Sequence, residues 1–195
     1  SAEGTLKRSE SVYPTVSNVA WASLQTGVGP GEFGVFGFVE LESDLSLRIP
    51  NTADLKATTL WDKLSEKGKR IVSLSVPMTY PAPEVNGLLV SGFLAPQLDE
   101  RAVSDPEVLR KLRWTQYEID VDPQVAHQSL DQFQEEIERV STARQATALE
   151  LMEKEDWDLF FLHVMDTDRL CHFMWPYQNE PESAHGRFFL DFLDR

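Results

Sequence analysis

The sequence predicts an α/β fold in which a central sheet has helices on both faces. Residues 55–67 carry apolar side chains at helical spacing, and after Gly68 the chain enters the β-branched run 70–76. Residues 130–155 form the longest helical pattern, and they lead at once into the most apolar run of the chain, 157–164. A helix that is followed directly by a wholly apolar strand is typical of a sheet buried on both sides.

The first part of the chain gives two further elements. A short helix is predicted over 19–26, because Gly27 is a natural helix stop. The stretch 27–38 has five glycines and a proline in twelve residues, which is typical of a connection rich in turns.

The middle of the chain alternates short elements with loops. A proline-rich loop over 76–87 separates the run 70–76 from a second apolar strand, 88–94. A helix is predicted over 106–113, with Ser104 or Asp105 as its cap. Residues 117–123 alternate apolar and polar side chains, which predicts an edge strand.

Composition narrows the class of protein. A chain of 195 residues with 42% apolar and 26% charged residues suits a single globular domain. Its formal net charge of −14 argues against a nucleic-acid-binding surface. No run approaches the roughly 18 apolar residues of a membrane span. Cys171 is the only cysteine and the first ten residues are polar, so a cytoplasmic location is the default expectation.

The apolar run 157–164 ends in polar residues that suit a metal site. Asp166, Asp168 and His172 follow it, at the strand end where open α/β sheets bind ligands. If a helix starts near Thr167, Asp168 and His172 are one turn apart on one face, as ligands of Zn²⁺ or Mn²⁺ can be. The alternative is a helix start at which an aspartate caps the helix and His172 only packs.

Ser17 stands just before the predicted first helix. A hydroxyl there can cap the helix. It can also attack phosphorus, because the free N–H groups and the positive dipole end of a helix favour an anion. A serine needs a base or a metal for activation, and this segment has no histidine. A metal held by Asp168 and His172 would meet that need.

Three stretches together resemble the type I phosphodiesterase/nucleotide pyrophosphatase branch of the alkaline phosphatase superfamily. They are "YPTVSNVAWASLQTGVGPGEFGVFGF" at 13–38, "SVPMTYPAPEVNGLLVSGFLAP" at 75–96 and "MDTDRLCHFMW" at 165–175. In that branch a serine or threonine lies nine residues before a Thr-Gly pair, the position that Ser17 has before Thr26. The Asp and His of the third stretch, here Asp168 and His172, bind a metal in that branch.

The resemblance implies an alkaline-phosphatase-like sheet and a pair of divalent ions, usually Zn²⁺ or Mn²⁺. It also implies hydrolysis of a small phosphorylated substrate through a covalent phospho-enzyme on Ser17. Thr79, Tyr80 and Trp175 are candidate substrate contacts, although a rigid loop and simple packing explain them as well. Some relatives place an asparagine three residues after the nucleophile. Ala20 stands there in this chain, and Asn18 is the possible substitute.

Two expected features of the family have no counterpart in residues 1–195. Family members open with a strand ending in a metal-binding aspartate, and they carry an Asp-His-Gly after a later strand. The "AHG" at 184–186 follows a polar loop and is not its equivalent. We therefore expect a single partial domain, incomplete at both ends and inactive by itself. The alternatives are a phosphomonoesterase or phosphonate hydrolase on the same scaffold, or an inactive ligand-binding domain.

Overall fold

Three parallel strands form the central sheet of a computed structural model that describes residues 4, 5 and 7–194, without the side chains of 113 and 114. The strands are β3 (Ile71–Val76), β4 (Gly87–Ser91) and β5 (Leu159–Leu162), in the order β4-β3-β5. A separate antiparallel hairpin pairs β1 (Glu40–Leu41) with β2 (Leu47–Arg48). Because the three strands of the sheet are parallel, their carboxyl ends meet at one edge.

Helices cover both faces of this sheet, as the sequence predicts. On one face Trp61 packs with Ile71, Val76 and Leu89. On the other face lie the apolar side chains of two further helices. The described helices are α1 (Ser17–Thr26), α2 (Pro30–Phe33), α3 (Leu60–Glu66), α4 (Pro106–Trp114), α5 (Pro123–Gln128), α6 (Leu130–Lys154), α7 (Asp166–Met174) and α8 (Ala184–Leu193), with 3₁₀ turns at Thr52–Asp54 and Trp175–Asn179. The second face is covered by α4 and α6, and the α/β prediction is confirmed.

The ends of α1 and α3 show how local chemistry sets helix boundaries. Gly27 adopts a φ of 73° and its N–H closes the end of α1, which confirms the predicted stop. Helix α3 begins five residues later than the apolar pattern predicts. Thr59 is its N-cap, and Thr59 and Asp62 form a reciprocal capping box.

The prediction of an edge strand over 117–123 is wrong. Tyr117, Ile119 and Val121 are buried in alternation, as the pattern requires. The backbone, however, does not pair with a neighbouring strand. The Arg144 guanidinium donates to the carbonyl oxygens of Glu118 and Ile119 and so takes the place of a strand partner.

Strand β5 is also less buried than its apolar sequence predicts. It is four residues long and lies at one edge of the described sheet, where its side chains are half-buried or exposed. The predicted length and full burial of 157–164 are therefore wrong, although the position of a strand in this run is right. Among the described residues, no helix combines the length and the apolarity that crossing a bilayer requires.

Candidate active site

A cavity of about 280 Å³ opens at the carboxyl edge of the sheet. Its lining comes from α1, from the segments that follow α2, β3, β4 and β5, and from α7. The lining residues are Ser17, Trp21, Phe38, Pro77, Phe93, His163, Met165, Asp168, Arg169 and His172. The cavity therefore brings together Ser17, Asp168 and His172, although Ser17 is about 150 residues from the other two in sequence.

Ser17 is the first residue of α1, and its side chain does not cap the helix. The N-cap is Val16, which has no side-chain oxygen to offer. The Ser17 side chain is exposed, and its hydroxyl has no hydrogen-bond partner within the described part of the chain. Of the two roles that the sequence allowed for Ser17, capping of the helix is therefore excluded. What remains is a free hydroxyl at the positive end of a helix.

Asp168 and His172 lie one turn apart on α7, as predicted. The His172 Nε2 and Asp168 Oδ2 atoms are 3.5 Å apart, and the two side chains are 65% and 49% exposed. An imidazole nitrogen and a carboxylate oxygen, close together and open to solvent, fit Zn²⁺ or Mn²⁺ as donors. The described residues contain no group of three or more His, Cys, Asp or Glu side chains arranged to hold a metal. Asp168 and His172 are therefore two side chains that could contribute to such a site, and no third His, Cys, Asp or Glu side chain joins them among the described residues.

Asp166 binds Arg144 and is not part of the cavity lining. Its carboxylate is buried and accepts a hydrogen bond from Arg144 at 2.8 Å. Burial raises the pKa of the Asp166 carboxyl, against the opposing charge of Arg144. Helix α7 has Met165 as its N-cap without a side-chain bond, so no aspartate caps it. Asp166 positions α7, and Asp168 is left to face the cavity.

The four weaker substrate-contact candidates lie outside the cavity lining. Asn18 is buried; its amide donates to the Gly37 carbonyl and its side-chain oxygen accepts from the Val19 N–H. Thr79 is buried and donates to the Val76 carbonyl at 2.7 Å.

Tyr80 and Trp175 make packing contacts. The Tyr80 ring lies under the Arg101 guanidinium, 5.1 Å from it, and Trp175 meets Phe189 edge-on at 6.2 Å. The structure thus assigns local packing or hydrogen-bonding contacts to all four candidates.

Two polar residues of the lining, His163 and Arg169, were not singled out as site residues from the sequence. His163 donates from Nδ1 to the Ser75 carbonyl at 3.0 Å, and its ring lines the cavity. A bulge in β3 at Ser75, where φ is 62°, frees this carbonyl from the strand ladder. No pattern in the sequence predicts the bulge at Ser75.

Arg169 is the second of these residues. Its Nε donates to both carboxylate oxygens of Asp120, at 2.9 and 3.1 Å, and its Nη2 also bonds to Asp120. The guanidinium lies 5.0 Å from the centre of the Phe93 ring. The hydrogen bonds to Asp120 raise the pKa of Arg169, so its charge is permanent. Asp120 lies in the segment that was wrongly predicted as a strand. The sequence therefore provided no reason to expect its contact with Arg169.

We predict that His163 makes the stability of the metal-free protein depend on pH. Burial lowers the pKa of His163 below its ordinary value, against the bond to Ser75. The folded state therefore favours the neutral ring. The stabilisation that this preference adds is fully present above the unfolded pKa of about 6.5. As pH falls from there through the folded pKa, the free energy of unfolding should decline. Urea unfolding at several pH values measures this, and His163→Gln should reduce the slope; an identical slope would contradict the prediction.

Comparison with known proteins gives one family. The model of a family described as type I phosphodiesterase/nucleotide pyrophosphatase matches residues 2–190. Searches of curated proteins and of solved structures gave no significant match.

Proposed function

The chain belongs to the type I phosphodiesterase/nucleotide pyrophosphatase family, and on that premise we propose that it hydrolyses phosphodiesters or nucleotide-type pyrophosphates through a phosphoserine at Ser17. Membership itself establishes phosphate-ester hydrolysis as the general chemistry of the family. The observation that carries the finer proposal is the convergence of Ser17, Asp168 and His172 in one cavity.

In the proposed reaction the Ser17 oxygen attacks phosphorus in line. The bond between Oγ and phosphorus forms while the bond to the leaving oxygen breaks, and that oxygen departs with the electron pair. The hydroxyl proton passes to solvent, and water later cleaves the phosphoserine. The backbone N–H groups of the first turn of α1 and its dipole favour the negative charge that gathers beside Ser17.

We further propose a pair of divalent ions, Zn²⁺ or Mn²⁺, of which Asp168 and His172 hold one. Their donor atoms fit such an ion in type, spacing and exposure. When bound, the ions lower the pKa of the attacking hydroxyl and neutralise charge on the phosphate oxygens. Asp168 and His172 are fixed for this role by α7, whose first turn is anchored through Asp166 and Arg144.

The alternatives keep the same site but change its use. A phosphomonoesterase or a phosphonate hydrolase would share Ser17 and the metal donors, whereas an inactive ligand-binding domain would bind phosphate without turnover. Hydrolysis of bis(4-nitrophenyl) phosphate, 4-nitrophenyl phosphate and a phenylphosphonate ester by the natural protein that carries this sequence separates them. The proposal expects the diester to be the best substrate; a clear preference for the monoester would overturn it.

We predict that His172→Ala and Asp168→Asn each weaken Zn²⁺ binding by about tenfold or more, because each removes one donor of a small ligand set. Isothermal titration calorimetry measures the affinity. His185→Ala is the matched control, since His185 also lies beside an aspartate, Asp131, at 3.8 Å, but outside the cavity. Equal affinities in the wild type and His172→Ala would remove His172 from the site.

A further inference from the structure

The cavity wall contains a permanent cation that the proposed reaction does not yet use. Among the described residues that line the cavity, Arg169 alone carries a fixed positive charge. The chain as a whole has 18 basic against 32 acidic residues, so a cation in this position does not follow from its composition. Asp168 on the same wall would repel a phosphate unless positive charge stood near it.

The guanidinium of Arg169 is held in a fixed orientation. Asp120 binds the edge formed by Nε and Nη2, and the ring of Phe93 supports one face of the guanidinium at 5.0 Å. The side chain of Arg169 is 14% exposed, so little of it moves freely in solvent. Two contacts of different kinds thus set both its position and its plane.

The remaining edge of the guanidinium is not hydrogen-bonded within the described part of the chain. Nη1 has no hydrogen-bond partner among the described residues, whereas Nε and Nη2 are both engaged. An arginine with one edge fixed and the other edge free presents paired N–H donors in a geometry that matches phosphate oxygens. Because Arg169 lines the same cavity as Ser17 and His172, an anion bound there would lie in the proposed active site.

We infer that Arg169 forms an anion-binding subsite in the cavity wall, where its free edge takes phosphate oxygens of the substrate. The oxygens belong either to the phosphate that Ser17 attacks or to a second phosphate beside it, as in a pyrophosphate. Asp120 and Phe93 are positioning residues for this subsite. The inference rests on the proposed function, because it takes the ligand to be a phosphate ester.

The competing explanation is purely structural. Arg169 joins α7 to the segment around Asp120, and such a bridge could serve folding alone. The two explanations differ in what they predict for anion binding. A bridge that serves folding alone would leave the affinity for phosphate unchanged when the arginine is replaced, provided that the protein still folds.

The test is titration of the metal-free protein with inorganic phosphate and with inorganic pyrophosphate, followed by ³¹P NMR. Without metal, chelation by the anion does not enter the measurement. Arg169→Met should weaken binding by about tenfold or more, since a hydrogen bond to a charged group contributes about 1.5–3 kcal/mol. Weakening for both anions assigns the subsite to the attacked phosphate, and weakening for pyrophosphate alone assigns it to a second one. Equal affinity of the variant and the wild type for both anions would overturn the inference.

Two further variants keep this test decisive. Arg139→Met also removes one positive charge, but from an exposed pair with Glu118, and it should leave both affinities within about twofold. If Arg169→Met does not fold, Arg169→Lys decides, because lysine keeps the charge but lacks the planar fork. It should bind about fivefold more weakly, and wild-type affinity in that variant would again overturn the inference.

The outcome for Ser17→Ala separates the subsite from the proposed function. A variant without Ser17 should lose turnover and keep its affinity for phosphate. Full turnover in Ser17→Ala, together with weak anion binding in Arg169→Met, would reject the phosphoserine mechanism and retain the subsite.

Discussion

Replacement of Ser17 by alanine is expected to lower turnover of bis(4-nitrophenyl) phosphate by about 10³-fold or more, because it removes the attacking oxygen. The protein should nevertheless remain folded. The Ser17 hydroxyl has no hydrogen-bond partner in the described part of the chain, and it does not cap the helix that it begins. Its loss should therefore change the free energy of unfolding by about 0.5 kcal/mol or less. Steady-state kinetics and urea unfolding of the natural protein and its variant measure the two effects.

Ser23→Ala is the matched control on the same helix. Ser23 donates to the Val28 carbonyl at 2.8 Å, so its replacement should cost about 1 kcal/mol of stability and leave turnover intact. Ser17→Ala should thus lower turnover without a loss of stability, whereas Ser23→Ala should lower stability without a loss of turnover. Mass spectrometry after an acid quench should in addition find phosphate on Ser17 of the wild type. Turnover of Ser17→Ala within tenfold of the wild type would reject the nucleophile.

The convergence of Ser17, Asp168 and His172 in the candidate site could be predicted from the sequence because the position of each residue has a local cause. The spacing of Asp168 and His172 places them on one helical face whatever the rest of the chain does. Ser17 could be found because a glycine stop and a motif define the short helix that it begins. The convergence of these parts follows from the rule that parallel strands end at one edge of a sheet.

The parts that could not be predicted depend on contacts between distant segments. The hydrogen bond of His163 requires a bulge in another strand, and the orientation of Arg169 requires Asp120, 49 residues away. The same is true of Asn18, which looked available from its place in the sequence but is taken up by Gly37. Periodicity reports which side of an element is buried. It does not report which polar group is satisfied by a remote partner.

Arg144 is the clearest example of a polar group whose partners are remote in sequence. Of the replacements considered, that of Arg144 should have the largest effect on stability. Arg144 and Asp166 form an ion pair at 2.8 Å with side chains only 4% and 3% exposed. Arg144 also supplies the hydrogen bonds to the carbonyls of Glu118 and Ile119. We expect Arg144→Met to lower the free energy of unfolding by about 3–5 kcal/mol, because it leaves a buried charge without a partner. Urea unfolding measures the change.

The comparison with Arg139 tests the physical cause. Arg139 lies on the same helix and pairs with Glu118, but both side chains are more than 40% exposed, so Arg139→Met should cost less than about 1 kcal/mol. The pH dependence should also differ. Without Arg144, burial raises the folded-state pKa of Asp166 further above its unfolded value, so the penalty should be smallest in acid and grow as pH rises through that folded pKa. Adding Asp166→Asn to Arg144→Met should recover part of the loss, because the unpaired charge is gone. Equal costs for Arg144→Met and Arg139→Met would show that the buried pair does not hold the first turn of α7, and that the orientation of Asp168 has another origin.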